Sequence, residues 1–281
     1  MKTRSWLVII LLSVSALAAQ TNTALSLPPG VQLIHEQRAQ PSQEIFIVNV
    51  DLKKPGLTIC VAPGGPDPDG PGVYQTTLMT VRAIAERDDL DVAVNGDFFS
   101  AKQHVDAKGK KSGYLTGLWA KVAGAAMSDG KMWGGEKEPS LWITRAGRAG
   151  ISREGRAPPD GRQMISGHPL LVADGKAVPS ESKAVHPRTA VGVDAAGARL
   201  VLLVVDGRHP EVATGMTYAE VAGELLRLGC SSGLNLDGGG STTLVIRDAA
   251  TGRRRVLNTP SGGHERPVAN VLGVRSRPPP P

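Results

Sequence analysis

Short apolar runs, broken by glycine, proline and aspartate, make up most of the chain, and helical spacing interrupts them in two places. Glu44 to Asp51 and Leu57 to Ala62 alternate or run apolar on either side of Lys53-Lys54-Pro55-Gly56, which predicts a β-hairpin. Leu78, Val81, Ile84 and Ala85 recur at helical spacing, so a helix is expected to open at Thr77 and end near Asp88. The buried strand Asp91 to Val94 should follow, running into Asn95-Gly96-Asp97-Phe98-Phe99. Gln103 to Gly113 is polar throughout and reads as a long loop or lid, and strand-like pieces come next at Leu115 to Val122, Leu141 to Thr144 and Met164 to Val172.

The pattern sharpens beyond Arg188. Thr189 to Val193 and Leu200 to Val205 are strands joined by a short Ala/Gly turn, which predicts an antiparallel hairpin. Thr217-Tyr218-Ala219-Glu220 has the form of a capping box; Val221, Ala222, Leu225 and Leu226 give the helix after it one apolar face, and Gly229 stops it. The strand Leu234 to Leu236 follows at a distance that predicts a parallel crossover from the strand ending at Val205. Ser241 to Ile246 with Arg255 to Leu257 forms a further hairpin, and Ala269 to Val274 the last strand. The expected fold is α/β in the mixed sense: parallel and antiparallel sheets flanked by helices, with the active site at one sheet edge.

That topology gathers polar residues. In a crossover the ends of both strands lie on the same edge, which brings Asp206-Gly207-Arg208 beside Asp237-Gly238-Gly239. The hairpin partner of the first strand begins there too, adding His186-Pro187-Arg188. The far end of the later hairpin delivers Asn258 to Gly263, with Glu265 and Arg266 directly after, and Asn95 and Asp97 form a fifth cluster. Taken singly, most such Asp-Gly and Asn-Gly pairs are only turns. Gathered on one rim they supply carboxylates, arginines, a histidine and a glycine-rich loop, Gly238-Gly239-Gly240-Ser241-Thr242, whose N–H groups suit anionic oxygens. No lysine follows the glycines and no helix is predicted after them, so this is not an NTPase loop.

Composition adds the context. Lys2 and Arg4 precede the apolar run Trp6 to Leu12, and Ala16-Leu17-Ala18 supplies small residues, so residues 1–19 read as a cleaved signal peptide and the mature chain as secreted or periplasmic, without a transmembrane segment. Residues 20–44 read as a leading segment, 45–275 as a single domain, and 276–281 as a disordered Pro-rich tail. The formal net charge of +6 is mild, and Lys108 to Lys111 and Arg253 to Arg255 lack interleaved aromatics, which argues for solvated loops rather than a nucleic-acid surface. Cys60 and Cys230 either pair or stay as buried free thiols; nothing in their spacing makes a zinc site. No cofactor is expected.

The ordered set NGDFF (95–99), GHPLLV (167–172), HPRTAVG (186–192), VVDGR (204–208), MTYAEVAGELLRLG (216–229), NLDGGGSTTLV (235–245) and NTPSGGHERPVANVLGV (258–274) resembles the phosphodiester glycosidases, over about residues 45–275. The resemblance implies release of a sugar from a sugar-1-phosphodiester, with a sugar-phosphodiester or polysaccharide, such as a cell-envelope or capsular polymer, as substrate. It places the site on Asn95, Asp97, His186, Arg188, Asp206, Arg208, Asp237, the Gly238 to Thr242 loop, Glu265, Arg266 and Asn270. The expected roles are Asp237 and Glu265 at the chemistry with Asp206 in support, and His186 orienting or donating a proton. Arg188, Arg266 and the loop would hold phosphate, while Asn95, Asp97, Arg208 and Asn270 contact the sugar or brace the loops. Two other classes fit the same residues: a non-catalytic carbohydrate- or phosphate-binding envelope protein, and a metal-dependent phosphodiesterase, since clustered Asp and Asn also suit hard cations.

Overall fold

The computed structural model describes residues 19–20, 27–105, 107–135, 137–248 and 251–276. The segment read as a signal peptide and the end of the Pro-rich tail lie outside the described residues, apart from the short strand Ala19–Gln20. Among the described residues, no helix is long and apolar enough to cross a membrane.

The chain forms a mostly β structure, which corrects the expected α/β class. Among the described residues, two α-helices, Val81–Arg87 and Tyr218–Arg227, stand among four sheets, and each ladder between the described strands is antiparallel. An eight-stranded sheet carries Val31–Ala39, Ser42–Asp51, Arg199–Val205, Arg188–Val193, Ser232–Asn235 and Leu170–Ala173 in that spatial order, with short strands at its two margins. A five-stranded sheet orders Arg254–Val256, Leu244–Arg247, Val92–Asn95, Asn270–Arg275 and Thr58–Pro63. A second five-stranded sheet covers residues 126–166, and a three-stranded sheet joins Thr76–Thr77, Trp119–Val122 and Phe99–Ala101.

Period-two alternation sorts the side chains into layers. Phe46, Val48, Val191, Leu202, Val204 and Leu234 of the large sheet meet Val61, Val92, Val94, Leu244 and Leu272 of the first five-stranded sheet in one central core. The intervening residues point outward. Ile47, Val201, Leu203 and Val205 lie under the second helix, through Val221, Ala222 and Leu225. Ala93, Val245 and Val271 lie under the first, through Val81, Ile84 and Ala85. Two glycines let the second helix come close: a Cβ on Gly192 would stand 2.4 Å from Cys230 Sγ, and one on Gly233 2.6 Å from a Leu225 methyl.

Several local expectations change. Arg199–Val205 and Ser232–Asn235 do not pair with each other; each pairs antiparallel to Arg188–Val193, one on either side. They therefore run in the same direction with a strand between them, and their ends still reach the same edge. Ser42–Asp51 and Thr58–Pro63 are no hairpin but enter different sheets, the first pairing with Val31–Ala39 and the second with Asn270–Arg275. The leading segment thus contributes Val31–Ala39 to the large sheet. The first helix is capped by Thr80, whose hydroxyl accepts the Ala83 N–H, so it starts after Thr77. The second keeps its capping box, with Thr217 and Glu220 bonded reciprocally. Cys60 and Cys230 are free, buried thiols, each raised to about 11 by burial.

Candidate active site

The site is built where the Val92–Asn95 strand of one sheet meets the loop after Ser232–Asn235 of the other. Asn95 is the knot. Its Nδ2 donates to the Asp237 carbonyl at 2.6 Å, while its Oδ1 accepts the Thr189 hydroxyl at 2.6 Å and the Thr243 N–H at 3.1 Å. The Asp237 N–H in turn donates to Gly96 O at 2.9 Å. Two Asn-x-Asp segments, Asn95 to Asp97 and Asn235 to Asp237, are thereby laid against each other.

Their aspartates sit in perturbed surroundings. Asp97 is 2% exposed, and burial pushes it up to about 7 against the opposing N–H groups of Gly124 and Phe98, with the Asp237 charge adding to the rise. The Gly124 N–H lies 3.0 Å from Asp97 Oδ2, and Asn270 Oδ1 accepts the Asp97 N–H at 2.8 Å. Asp237 is also raised, first by burial, while Ser241, the Gly238 N–H at 2.8 Å and Arg266 favour its ionised form. Burial therefore pushes both carboxyls toward their protonated forms, and at Asp237 a cation and donors oppose the push.

The glycines after Asp237 are required by close approach. Gly239 adopts φ +60° in a short 3-10 turn over Gly239–Ser241, and a Cβ on Gly240 would stand 2.1 Å from Arg266 Nη2. Arg208 lies over Gly239, itself at φ 64°. Arg208, Arg266, Gly240, Ser261, Gly262, His264 and Tyr114 line a cleft of about 320 Å³, and the Arg266 guanidinium stacks 4.7 Å from the Tyr114 ring centroid. The hydroxyls of Thr242 and Thr243 and the Asn270 amide nitrogen are buried and make no hydrogen bond to protein. Two guanidinium groups thus stand over a glycine turn that begins just after Asp237, a lining whose donors suit anionic oxygens.

Four of the residues expected at the site are otherwise engaged. Arg188 does not reach the cleft: its Nε donates to Met216 O at 2.9 Å and its Nη2 to Ala184 O at 2.7 Å, and it stacks 3.9 Å from the Tyr218 ring. It anchors the start of the second helix. Glu265 accepts the Arg82 N–H and Nε, both at 3.0 Å, at the start of the first helix. Asp206, pushed up to about 6 by burial, spends one oxygen on Asn258 Nδ2 at 2.8 Å and the other on the Thr259 N–H at 2.7 Å. It holds the loop that carries Ser261 and His264. His186 bridges to Met216 through backbone bonds, and its imidazole is lowered by partial burial and then by Arg188 and Arg208. Tyr114 and His264 were not expected here. Only the folded path of the Gln103 to Gly113 stretch brings the tyrosine to Arg266. Among the described residues, no three His, Cys, Asp or Glu side chains gather as a metal site would need.

A family model described as phosphodiester glycosidase matches residues 88–275. The chain is 29% identical over 204 residues to the N-acetylglucosamine-1-phosphodiester alpha-N-acetylglucosaminidase of Bos taurus, covering 66% of this chain and 36% of that one. It thus spans about a third of that relative's length. The catalytic domain of the zebrafish enzyme of the same name, solved auto-inhibited by its pro-peptide, superposes with a TM-score of 0.60 at 21% identity, covering 94% of this chain and 85% of that one. A Burkholderia pseudomallei protein superposes with a TM-score of 0.62 at 16% identity over 83% of this chain and 74% of its own. At such identities the structural likenesses speak for the fold.

Proposed function

This chain belongs to the phosphodiester glycosidase family, and on that premise we propose that it hydrolyses the bond between an anomeric carbon and a phosphate oxygen in a glycosyl phosphodiester. The observation that carries the reading is the placement of Arg208 and Arg266 over the glycine turn, with Asp237 at the foot of that turn and Asp97 coupled to it. The arginines and the loop N–H groups hold the phosphodiester. As the glycosidic bond breaks, charge develops on the departing phosphate oxygen, and the guanidinium groups stabilise it there.

A phosphate leaves as a stable anion, so protonation of the leaving group matters less than charge neutralisation. Asp237, raised by burial, has the Gly238 N–H and Arg266 beside it to stabilise the ionised form in which it faces the oxocarbenium-like sugar as nucleophile or as base toward water. Asp97 retains its proton near pH 7, which limits repulsion between the paired acids. In this reading Asp206, Arg188 and Glu265 are positioning residues, and His186 acts as a neutral imidazole beside Arg208. Asn270 and the unpartnered threonine hydroxyls of the loop face the sugar or the phosphate. The first nineteen residues support export to the periplasm or beyond, where a cell-envelope or capsular polymer is the substrate within reach.

Release of free N-acetylglucosamine from UDP-N-acetylglucosamine, or from a simple alkyl ester of N-acetylglucosamine 1-phosphate, tests the reading. Wild-type protein should liberate the sugar, and Asp237→Asn should reduce kcat by roughly a thousandfold with KM little changed. Turnover undiminished in that variant removes Asp237 from the chemistry. Tight binding without any release would turn the assignment to a carbohydrate-binding protein.

A further inference from the structure

Aromatic residues make up 4% of the chain, yet Tyr74, Phe98, Phe99, Tyr114 and Trp119 gather around the small three-stranded sheet. Of the large apolar side chains exposed among the described residues, Val73, Val105, Tyr114, Leu115 and Trp119 belong to this sheet and its flap, and only Met132, Val185 and Val212 lie elsewhere. On the Trp119–Val122 strand, Trp119 and Lys121 face outward while Ala120 and Val122 enter a core cluster. Tyr74 meets the Trp119 ring edge-on at 5.9 Å, and Lys102 Nζ lies 4.2 Å from the Trp119 centroid.

Charge concentrates in the same place. Residues 98–122 contain Lys102, Lys108, Lys110, Lys111 and Lys121 against the single acid Asp106. The flap that carries three of them folds back on itself through the bridge between Val105 and Lys111 and the Ser112 N–H to His104 O. A hollow of about 390 Å³ opens there, lined by His104, Val105, Lys110, Lys111 and Ser112. Read as sequence, these lysines have no aromatics among them; in the fold Lys102 lies over the Tyr74 and Trp119 rings. The strip is continuous with the cleft, because Tyr114, which walls the cleft under Arg266, also meets Phe99 edge-on at 5.4 Å at the start of this sheet.

We propose that this face is a binding strip for an anionic polysaccharide, holding the polymer on one side of the bond that the cleft addresses. Lys102 covers one face of Trp119 and Arg266 one face of Tyr114, and the ring surface left exposed meets the C–H surfaces of sugars while the lysines meet acidic groups repeated along the chain. The inference rests on the reading of the cleft as the place of cleavage, and it narrows the substrate from any glycosyl phosphodiester to a polymer. A protein partner would be expected to bury a larger apolar patch with fewer lysines at its core.

Affinity electrophoresis with a linear polysaccharide joined by sugar-1-phosphodiester bonds, with neutral dextran and single-stranded DNA alongside, measures the strip directly. Trp119→Ala and the combined Lys102→Gln, Lys110→Gln, Lys111→Gln variant should each weaken polymer binding about tenfold. Release of sugar from UDP-N-acetylglucosamine should stay within about twofold of wild type, which also reports intact folding. Polymer binding by both variants equal to wild type overturns the strip, as does equal retention by dextran or by DNA. Binding needs no turnover, so the two readings separate: Asp237→Asn should hold the polymer as wild type does, and wild-type protein that holds the polymer but never cleaves it sinks the function proposed for the cleft and leaves the strip standing.

Discussion

Replacing Asn95 by alanine strikes the joint between the two halves of the site. Three groups lose their partner: the part-buried Asp237 carbonyl and the buried Thr189 hydroxyl and Thr243 N–H. Asn95 is 0% exposed, so water does not reach these groups without opening the structure. An orphaned buried donor or acceptor costs roughly 1–3 kcal/mol, and the threonine hydroxyl can rotate toward another acceptor, which sets the total at about 3–6 kcal/mol. For a domain of this size each kcal/mol lowers Tm by about 2–4 °C, so a fall on the order of 10–15 °C is expected by calorimetry. Asn95→Asp is the sharper probe. An ionised carboxylate still accepts from Thr189 and Thr243 but turns a second oxygen against the Asp237 carbonyl, whereas the protonated form can donate to it. The folded protein therefore favours the protonated carboxyl at that position. The variant should recover stability as pH falls from 8 to about 5. A Tm for Asn95→Ala within about 3 °C of wild type, or the same deficit for Asn95→Asp at both pH values, would refute the role given to this side chain.

Other consequences follow from the same geometry. Gly240→Ala places a Cβ 2.1 Å from Arg266 Nη2, which forces the guanidinium off the turn; kcat/KM should fall about a hundredfold with Tm little altered, and unchanged turnover would separate Arg266 from catalysis. Asp97, raised to about 7 in the fold against about 3.9 unfolded, gives up stability as pH rises through that window, on the order of 4 kcal/mol in all. Asp97→Asn, which can still accept the Gly124 N–H, should match the wild-type Tm at pH 4 and exceed it at pH 8; an identical pH dependence of Tm in the two proteins would contradict this. Arg188→Lys should lose about 2–3 kcal/mol in urea unfolding, since a lysine cannot serve both carbonyls and stack on Tyr218. Inhibition by inorganic phosphate should be unaffected, whereas a large change in it would return Arg188 to the cleft.

Most elements fixed by contiguous residues were legible in the sequence, the hairpin expected around Lys53 to Gly56 excepted, and contacts across the fold were not. The Arg188–Val193 and Arg199–Val205 hairpin, the Thr217 capping box and the glycine turn after Asp237 each follow from local patterning. The start of the first helix is misplaced by periodicity because Leu78 shares the spacing of Val81 and Ile84, although it packs in another cluster, with Leu118. Glu265 and Arg266 look like one polar pair in the sequence, but adjacent side chains diverge: the acid turns back to Arg82 while the arginine enters the cleft. Arg188 had every attribute of a phosphate ligand except a free guanidinium, which only the position of the second helix reveals. Convergence of the strand ends survived a wrong pairing because direction, rather than adjacency, decides which edge a strand reaches.

The two halves of the site also share a plan. Met79 makes an isolated bridge to Val268, Thr80 caps a helix, and the helix leads through a turn into a strand ending at Asn95, two residues before Asp97. Met216 makes an isolated bridge to His186, Thr217 caps a helix, and that helix leads through a turn into a strand ending at Asn235, two residues before Asp237. Each helix covers the outer face of its own sheet, and the inner faces share one core. Packing two such units face to face brings both strand ends, and with them both aspartates, to the same rim. The units then diverge where the chemistry would require it. Asp97 is followed by Phe98 and Phe99 and the basic, aromatic sheet, while Asp237 is followed by glycines that admit Arg208 and Arg266. Burial raises both carboxyls, and an arginine opposes the rise at Asp237. A repeated unit thus supplies the paired carboxyls, and the difference between the two following loops separates the arginine-lined cleft from the basic, aromatic sheet beside it.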